Sequence, residues 1–467
     1  MGESRRKTLQ RVVALALPAI FENLIATLAG IVDVAMVGSL GAASTAAAAL
    51  NAQPMWFANA LATLPAGGAT VLVARSWGAD DRDGAARYAR SAALLALLIG
   101  AVLLALAQGV ADGYAAWMHA APDVAPDAAA YMRIVGVSLP FFVLSRTLAG
   151  VLQGSGDTVT PMKIGLMSNL FNVIGNYLLI YPPHLLRVFG LEMPVWGAGM
   201  GVRGAAMATA LSFAFSGGAL ALSLLRRGER AFFRGSFNFE LPRLRGLIQR
   251  GLPAAGERIA LSSGQIMFMS VVSTLGTISI STHHLAITAE GVCYNPSFGI
   301  ATAATALVGQ ALGAGDEMLA ERYGRFCSTF CAAVMAAVSA CMYFGAEWMI
   351  AFFTNDPEVI AQGARCLRIV AWVEAPFGVA LTVSAALRAA GDTLVPLWTG
   401  IATMWAVRQT AARILVLRMG LGLAGAWYAM DLDVALRWLF LWGYFLTGRW
   451  KRVSRRLAQK TRESVIQ

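Results

Sequence analysis

The chain contains an internal duplication with a constant offset. When the sequence is shifted by 235 residues, it aligns with itself without a gap over most of its length. At this offset Pro18 and Glu22 coincide with Pro253 and Glu257. Further coincidences, in chain order, are Leu40 and Gly41 with Leu275 and Gly276, Gly78 and Ala79 with Gly313 and Ala314, Arg133 with Arg368, and Gly156, Asp157 and Thr158 with Gly391, Asp392 and Thr393. A single offset at every one of these positions indicates two structural repeats and not merely a shared composition.

The composition indicates that these repeats lie in a membrane. Hydrophobic residues make up 57% of the chain and charged residues 13%, whereas soluble domains contain about 25% charged residues. A helix needs about 20 apolar residues to cross the hydrocarbon core, and the clearest charge-free runs are 91–111, 164–186, 204–225 and 326–346. The run 34–74 is too long for one span and predicts a turn near 38–41. We therefore predict an all-α polytopic membrane protein with about twelve transmembrane helices, arranged as two six-helix repeats.

The distribution of basic residues predicts the topology. The net charge is +11, and the Lys and Arg residues cluster near the N-terminus, between the repeats, and in the tail from Arg449 to Arg462. By the positive-inside rule these three segments lie in the cytoplasm, so the two repeats run parallel to each other. This predicts a multi-pass protein of the bacterial inner membrane with both termini cytoplasmic. The predicted domains are an N-terminal lobe at 10–225, a linker at 226–245, a C-terminal lobe at 246–448 and a basic tail at 449–467.

The cysteines do not predict a metal site. All five lie in the second repeat, and Cys327 and Cys331 are one helical turn apart. Because no histidine or acidic residue near them completes a ligand set, we interpret them as small buried apolar residues.

Acidic residues interrupt the first apolar helix. An ionised side chain at the centre of a span costs about 2.5–3.5 kcal/mol on insertion scales, so each one requires a reason. Glu22 and Asp33 lie within about 20° of each other on a helix. Glu22 has an equivalent in Glu257, whereas Asp33 corresponds to Phe268. Because this acid occurs in just one of the two repeats, Asp33 is a candidate for specialised ion chemistry. The alternative is that the Asp33 carboxylate stabilises helix packing.

Two asparagines of the predicted fifth helix share one of its faces. Asn172 and Asn176 are four residues apart. Amide oxygens beside a carboxylate suit a hard cation such as Na⁺, and the amide groups also suit a carboxyl that gains and loses a proton. Hydrogen bonding between helices is the alternative role.

The second repeat carries its own charged residues in or near predicted spans. Glu257, Glu290 and Glu374 are candidates for a second ion site. For the charged residues of the last two helices we predict a structural network instead. These residues are Arg408, Asp431, Asp433 and Arg437.

With these motifs in hand, the chain resembles the MATE (multidrug and toxic compound extrusion) transporters over about residues 10–455. The resemblance rests on several short motifs rather than on one. They are Leu17 and Pro18 leading to Val32 and Asp33, the stretch 37–41, the stretch 152–158, Asn172 to Asn176, Gly204 to Ala206 with Thr209, and the stretch 251–253 with Glu257.

The resemblance implies two six-helix lobes around a central cavity that opens alternately to the two sides. It also implies export of organic, amphipathic cations driven by a gradient of Na⁺ or H⁺, with no other cofactor and no metal except Na⁺ at Asp33. The family's ion-coupling residues match Asp33, Asn172, Asn176 and Thr209. The second-lobe acid of many NorM-type members aligns with Phe377, so Glu374, one turn away, is the predicted substitute.

We expect Met, Phe and Trp side chains to line the substrate cavity, because such side chains accept varied flat cations. The candidates are Met55, Trp56, Phe57 and Phe298. The expected partners are drug-like organic cations and the lipid bilayer, with no nucleic acid, and the expected state is a monomer.

Two other functions compete with this interpretation. A flippase for lipid intermediates or polysaccharides of the same superfamily would need a basic cavity, whereas the intramembrane charges here are mostly acidic. A polytopic membrane enzyme would need a nucleophile or a metal cluster, and the four histidines form no ligand spacing with acids.

Overall fold

The computed structural model describes residues 5–118, 120–188, 191–226, 232 and 240–456, and nearly all of them are helical. The first repeat forms α1 (Arg5–Gly38), α2 (Ala42–Leu50), α3 (Ala52–Gly78), α4 (Arg82–Trp117), α5 (Ala125–Gly154), α6 (Val159–Ile180), the strands β1 (His184–Val188) and β2 (Leu191–Val195), and α7 (Gly201–Arg226). The second repeat forms α8 (Leu241–Ser273), α9 (Thr277–Cys293), α10 (Asn295–Gly313), α11 (Glu317–Ala351), α12 (Pro357–Val370), α13 (Glu374–Ala389), α14 (Leu394–Ile401), α15 (Gln409–Ala412) and α16 (Gly422–Leu446). π-helical turns at Ala402–Arg408 and Arg413–Arg418 flank α15, and residues 449–456 form a C-terminal helix.

The helix boundaries confirm the duplication. The last residues of α1 and α8, the last residues of α3 and α10, and the first residues of α4 and α11 are each separated by the 235-residue offset. The predicted turn at 38–41 is also confirmed, because α1 ends at Gly38 and α2 begins at Ala42. Gly41 and its equivalent Gly276 have φ angles of 105° and 89°, which only glycine adopts at little cost.

Several helices are long and apolar enough to cross a membrane. By length and composition these are α1, the α2–α3 segment, α4, α5, α7 and α11, and the pair α12 and α13 qualifies as one span bent by 51°. Two further helices of the described chain are interrupted by polar residues. Three asparagines lower the hydropathy of α6, and three charged residues lie within α16. Asn172 and Asn176 of α6, and the three charged residues of α16, belong to the polar groups described below.

The predicted span at 164–186 is wrong at its C-terminal end. The helix α6 ends at Ile180, and Tyr181 is extended with φ −89° and ψ 149°. This follows from Pro182, because the residue before a proline is driven out of the helical conformation. The chain then forms an antiparallel hairpin in which His184 is opposite Val195. This hairpin lengthens the connection to α7, whereas only a short turn precedes α16 in the second repeat.

The two repeats differ where α5 corresponds to α12 and α13. The helix α5 is continuous from Ala125 to Gly154. Its counterpart breaks after Val370, and the chain bends by 51° before α13 begins at Glu374. A discontinuous membrane helix leaves backbone groups near its ends available to ions and polar side chains.

The described chain divides into two compact units. We call Ile25–Val73 with Asp81–Gly251 the N unit, and residues 5–24, Ala74–Asp80 and the chain from Leu252 onward the C unit. The core of the C unit is built by two clusters around Trp427 and Tyr323, and the core of the N unit by clusters around Tyr131 and Phe142. These contact-based units do not test the predicted domain boundaries, which stay predictions. Much of the predicted linker and the tail beyond residue 456 lies outside the described residues.

Equivalent glycines of the two repeats meet in the C unit. A Cβ atom on Gly313 would lie 2.0 Å from the backbone oxygen of Arg75, and one on Gly78 would lie 1.9 Å from that of Gln310. Positions 78 and 313 are equivalent in the duplication, as are 75 and 310. The contact is therefore reciprocal, and glycine is required because the other helix's backbone occupies the space of a side chain.

We expect Gly313→Ala to destabilise the protein by about 1–3 kcal/mol, because neither backbone can move away without disturbing its helix. Gly345→Ala in α11 is the matched control, since nothing lies within 4 Å of a Cβ at that position. The control is expected to be neutral or slightly stabilising. Thermal unfolding of both variants in detergent checks this, and equal melting temperatures for the two variants would contradict the proposed contact.

Candidate functional site

Four predicted polar residues meet in the N unit. Asp33 lies on α1, Asn172 and Asn176 lie on α6, and Thr209 lies on α7. The Nδ2 atom of Asn176 donates a hydrogen bond of 2.6 Å to Oδ1 of Asp33. Longer contacts of 3.4 Å join Asn176 Nδ2 to Asn172 Oδ1, and Asn172 Nδ2 to Thr209 Oγ1. The four side chains form one chain of polar contacts that begins at the carboxylate.

Small residues allow α6 and α7 to approach closely beside this chain. A Cβ atom on Gly204 of α7 would lie 2.4 Å from the backbone oxygen of Leu179. A Cβ atom on Gly175 of α6 would lie 3.1 Å from the Cβ of Ala208. The sequence thus uses glycine and alanine on both sides of the crossing, and the close packing brings Thr209 to Asn172.

The amide of Asn176 is the most enclosed group of the site. Asn176 is 0% exposed, whereas Asp33 is half-buried. The Oδ1 atom of Asn176 has no hydrogen-bond partner among the described residues. An unsatisfied buried carbonyl costs about 1–3 kcal/mol, so Asn176 Oδ1 is available to a cation or to a proton donor.

Tyr131 on α5 is a fifth member of the site that the sequence did not reveal. Its phenol lies close enough to Thr209 and to Asp33 to interact with both side chains. No motif singles out Tyr131, because a single tyrosine in a largely apolar helix is as readily a core residue as a site residue. Only the packing of α5 against α7 brings it to the site.

An apolar groove of the N unit includes Met36, which lies one helical turn from Asp33. It has a volume of about 730 Å³ and is lined by Met36, Val173, Ile174, Tyr177, Leu178, Tyr181 and Pro182. The hydroxyl of Tyr181 lies 2.8 Å from Ser39 Oγ and donates to the backbone oxygen of Met36 at 3.3 Å. Met36 is three residues from Asp33, so both project from neighbouring positions of one helix face. The size is in the range of small-molecule sites.

The predicted wall residues occupy other positions. Trp56 and Phe57 are exposed on α3, and Met55 is half-buried against the apolar core of the N unit. In the C unit, Phe298 packs on Tyr294, with ring centroids 5.7 Å apart, and Tyr294 packs on Phe377 at the same distance. None of these four lines the groove at Met36, and their role in substrate binding stays a prediction.

The three candidate acids of the second repeat separate into two places in the C unit. Glu257 forms an ion pair with Arg388 at 3.2 Å. Glu290 on α9 and Glu374 on α13 instead lie near each other, and Glu374 also interacts electrostatically with Asp431 of α16. Glu374 is 1% exposed, and neither of its carboxyl oxygens has a hydrogen-bond partner among the described residues.

A second charged group beside these acids is fully paired. Arg408 donates to Asp433 at 2.8 Å and to Gln265 at 3.1 Å, and Arg437 donates to the same carboxylate at 2.8 Å. Asp433 is 0% exposed. The predicted network is therefore confirmed for Arg408, Asp433 and Arg437. It was wrong to include Asp431, because Asp431 Oδ1 has no hydrogen-bond partner among the described residues and interacts with Arg408 only electrostatically.

No group of three or more His, Cys, Asp or Glu side chains in the described part of the chain is placed to hold a metal ion. Cys327 and Cys331 are both buried free thiols, as predicted. The groups gathered around Asp33 are a carboxyl, two amides and a hydroxyl, and groups of these kinds bind protons or alkali cations.

Comparison with known proteins gives a consistent assignment. A family model described as MatE matches residues 18–178 and again 253–412, once in each repeat. A probable multidrug resistance protein NorM of Thermotoga maritima is 28% identical over 446 residues, which cover 95% of this chain and 93% of that protein. A probable multidrug resistance protein NorM of Pseudomonas aeruginosa is 27% identical, covering 92% of this chain and 89% of that protein.

Solved structures share the fold. An outward-facing multidrug resistance MATE family transporter of the MOP superfamily matches with a TM-score of 0.86 and 23% identity, covering 95% of this chain and 96% of the other. A MOP superfamily transporter of Pyrococcus furiosus matches with a TM-score of 0.84 and 23% identity, covering 96% of each. These likenesses establish the two-lobe architecture that the sequence predicts.

We expect Asp433→Asn to destabilise the protein by about 3–5 kcal/mol, because it leaves the buried guanidinium of Arg408 and the half-buried one of Arg437 without their counter-charge. Asp112→Asn is the matched control, since Asp112 also pairs with an arginine, Arg133, but is 72% exposed. Such an exposed pair contributes about 0–1 kcal/mol. Thermal unfolding compares the two, and a melting temperature for Asp433→Asn equal to the control would argue against a structural network.

Proposed function

Because the chain belongs to the MATE family of membrane transporters, we propose that it is a secondary active antiporter that exports organic cations in exchange for H⁺ or Na⁺. The probable multidrug resistance function attributed to its NorM relatives supports this substrate class. We further propose that it acts as a monomer in the bacterial inner membrane. The basic segments support an orientation with both termini in the cytoplasm.

The observation that carries the proposal is Asp33 and its hydrogen bond from Asn176 within apolar helices. A carboxylate in a membrane span is costly when ionised, so a bound proton or cation stabilises it strongly. Asn176 Nδ2 stabilises the ionised form through a charge-assisted hydrogen bond. Asn172, Thr209 and the open Oδ1 of Asn176 supply further oxygens for a cation.

Competition at Asp33 couples the ion to the substrate. When H⁺ or Na⁺ neutralises the carboxylate, its hydrogen bond with Asn176 weakens and its attraction for a cationic substrate falls. A substrate bound near the ionised carboxylate in turn lowers the affinity for the ion. Binding couplings of this kind are reciprocal, so each ligand promotes release of the other.

The groove at Met36 is the part of the N unit suited to an amphipathic cation. Its lining is apolar except for two phenols, and the rings of Tyr177 and Tyr181 meet edge to face with centroids 6.0 Å apart. Aromatic faces attract organic cations, and an apolar wall discriminates poorly between them. Broad substrate specificity is the expected consequence.

We expect Asp33→Asn to abolish efflux without reducing the amount of protein in the membrane, because asparagine keeps the shape but cannot exchange a charge. Ethidium efflux from vesicles, with a pH gradient and an Na⁺ gradient imposed separately, measures this and identifies the coupling ion. Asp112→Asn, at an exposed position, is the control and should transport as the wild type does.

Wild-type efflux in Asp33→Asn would sink the role given to the carboxylate. Efflux absent from the wild-type protein under both gradients would instead favour a flippase for anionic lipid intermediates.

The acids of the second repeat are proposed as a second ion-binding group. Glu290 and Glu374 correspond to Met55 and Leu139 in the first repeat, just as Asp33 and Asn176 correspond to Phe268 and Ala411 in the second. Each repeat thus has polar residues at positions where the other repeat has apolar ones. Glu374 interacts electrostatically with Glu290 and Asp431, and Arg408 offsets the charge of the latter two. Like charges disfavour simultaneous ionisation, so this group of carboxyls is suited to exchange a proton.

We expect Glu374→Gln to reduce efflux roughly tenfold and to flatten its dependence on pH, since the amide cannot exchange a proton with its neighbours. Initial efflux rates measured from about pH 6 to about pH 8 test this. Glu347→Gln is the control, because Glu347 pairs with Arg368 at an exposed position. A pH profile of Glu374→Gln that overlays the wild type would remove Glu374 from the coupling mechanism.

A further inference from the structure

The C-terminal helix at residues 449–456 directly follows the last long helix of the chain. Thr447 and Gly448 form the turn between α16 and this helix, and Gly448 has a φ angle of 67°. Because α16 is one of the predicted membrane helices, a helix that begins three residues after its end lies near the membrane surface.

One face of this helix is held firmly by the protein. Trp450 is 0% exposed, and its ring stacks on Phe445 with centroids 5.4 Å apart and an interplanar angle of 5°. The Nε1 atom of Trp450 donates to the backbone oxygen of Phe445 at 3.1 Å. One turn later, buried Ser454 accepts a hydrogen bond of 3.0 Å from Arg75.

Arg75 connects this face to two other helices. It lies in the last turn of α3 and also donates to the backbone oxygens of Ala389 and Ala390, at 3.1 and 2.7 Å. These carbonyls end α13, where a cation is favourable. The C-terminal helix thus rests against the same arginine that ties the ends of α3 and α13 together.

Two basic side chains of the helix are neutralised by α11. Arg455 forms two parallel hydrogen bonds of 2.7 Å with Glu317. Lys451 pairs with Glu321. The acidic residues of α11 therefore account for these two charges.

The remaining basic residues of the helix form a separate, exposed face. Arg449, Arg452 and Arg456 are all exposed. Their spacing of three and four residues places them within about 60° of one another around the helix axis. Among the described residues these three arginines form no ion pair, so their guanidinium groups are open to anions from outside the described chain.

We propose that Arg449, Arg452 and Arg456 form a binding face for the phosphate headgroups of anionic lipids. Clusters of basic residues next to a membrane helix bind such lipids, and guanidinium groups contact phosphate oxygens in a bidentate manner. This arginine face lies on the side of the helix away from Trp450 and Ser454. A lipid bound there therefore holds the helix against α11 and against Arg75. Lipid binding at this face stabilises the C unit.

The test uses the full-length protein in detergent with added phosphatidylglycerol or, for comparison, phosphatidylcholine. Thermal unfolding measures stabilisation, because a ligand that binds only the folded state raises the melting temperature. Native mass spectrometry counts retained lipids. The wild-type protein should be stabilised by phosphatidylglycerol only, and the effect should weaken with rising ionic strength.

The variant Arg449→Gln, Arg452→Gln, Arg456→Gln should bind phosphatidylglycerol about a hundredfold more weakly at low salt and lose the stabilisation. The matched control removes the same charge from arginines that already pair with carboxylates, as Arg133→Gln, Arg203→Gln, Arg368→Gln, and should respond as the wild type does. The single variant Arg452→Gln, with an intermediate loss, serves if the triple variant does not fold.

Three results would overturn the proposal. They are an unchanged phosphatidylglycerol response in the triple variant, an equal loss in the control, and stabilisation of the wild type by soluble glycerol phosphate as strong as that by the lipid. The last would identify a soluble-phosphate site instead. None of these outcomes depends on whether the protein exports cations.

Discussion

The cost of placing charge in an apolar medium governs this structure, because every charged or polar side chain in the long helices needs a partner. The molecule meets this requirement to different degrees. Asp433 is surrounded by two arginines and is structural in consequence. Asp33 has one amide donor, Asn176. Glu374 has like-charged neighbours and no hydrogen bond among the described residues. A carboxylate that the protein stabilises less gains more from a bound proton or cation. Asp33 and Glu374, which have fewer partners than Asp433, are therefore the proposed ion-binding acids.

The helix packing is common to the two repeats, whereas the candidate ion-binding residues occur where the repeats differ. The ends of α1 and α8, the ends of α3 and α10, and the starts of α4 and α11 lie at the 235-residue offset. Equivalent glycines, Gly78 and Gly313, make a reciprocal backbone contact that no other residue permits. The polar site residues occur where the repeats differ: Asp33 is equivalent to Phe268, and Glu374 is equivalent to Leu139. The helix shape also differs, because the bent pair α12 and α13 is equivalent to the continuous α5. Helix packing is retained by both copies because it depends on small residues at crossings, whereas an ion site needs only a few substitutions in one copy.

Much of the site could be predicted from the chain, and the limits have identifiable causes. Asp33, Asn172 and Asn176 were evident because polar residues in apolar helices are rare, and Thr209 followed from a family resemblance. Tyr131 was missed, since a tyrosine in an apolar helix carries no distinctive signal until α5 packs beside α7. The grouping of Glu290 and Glu374 with Asp431, and the separate pairing of Glu257 with Arg388, likewise depend on helices far apart in sequence. The end of α6 was misjudged because apolar strand residues after Pro182 extend the hydrophobic run.

The sequence by itself determined the membrane character, the two repeats, the turns at glycine, and the set of residues whose charge is costly in hydrocarbon. These properties are local or periodic, and they can be read from composition and spacing. Only the tertiary structure decided which costly residues share a site, which are neutralised by arginine, and which side of the C-terminal helix is left for a partner. Those outcomes depend on the rotation and crossing of helices relative to one another, and one helical position changes a side chain's direction by about 100°.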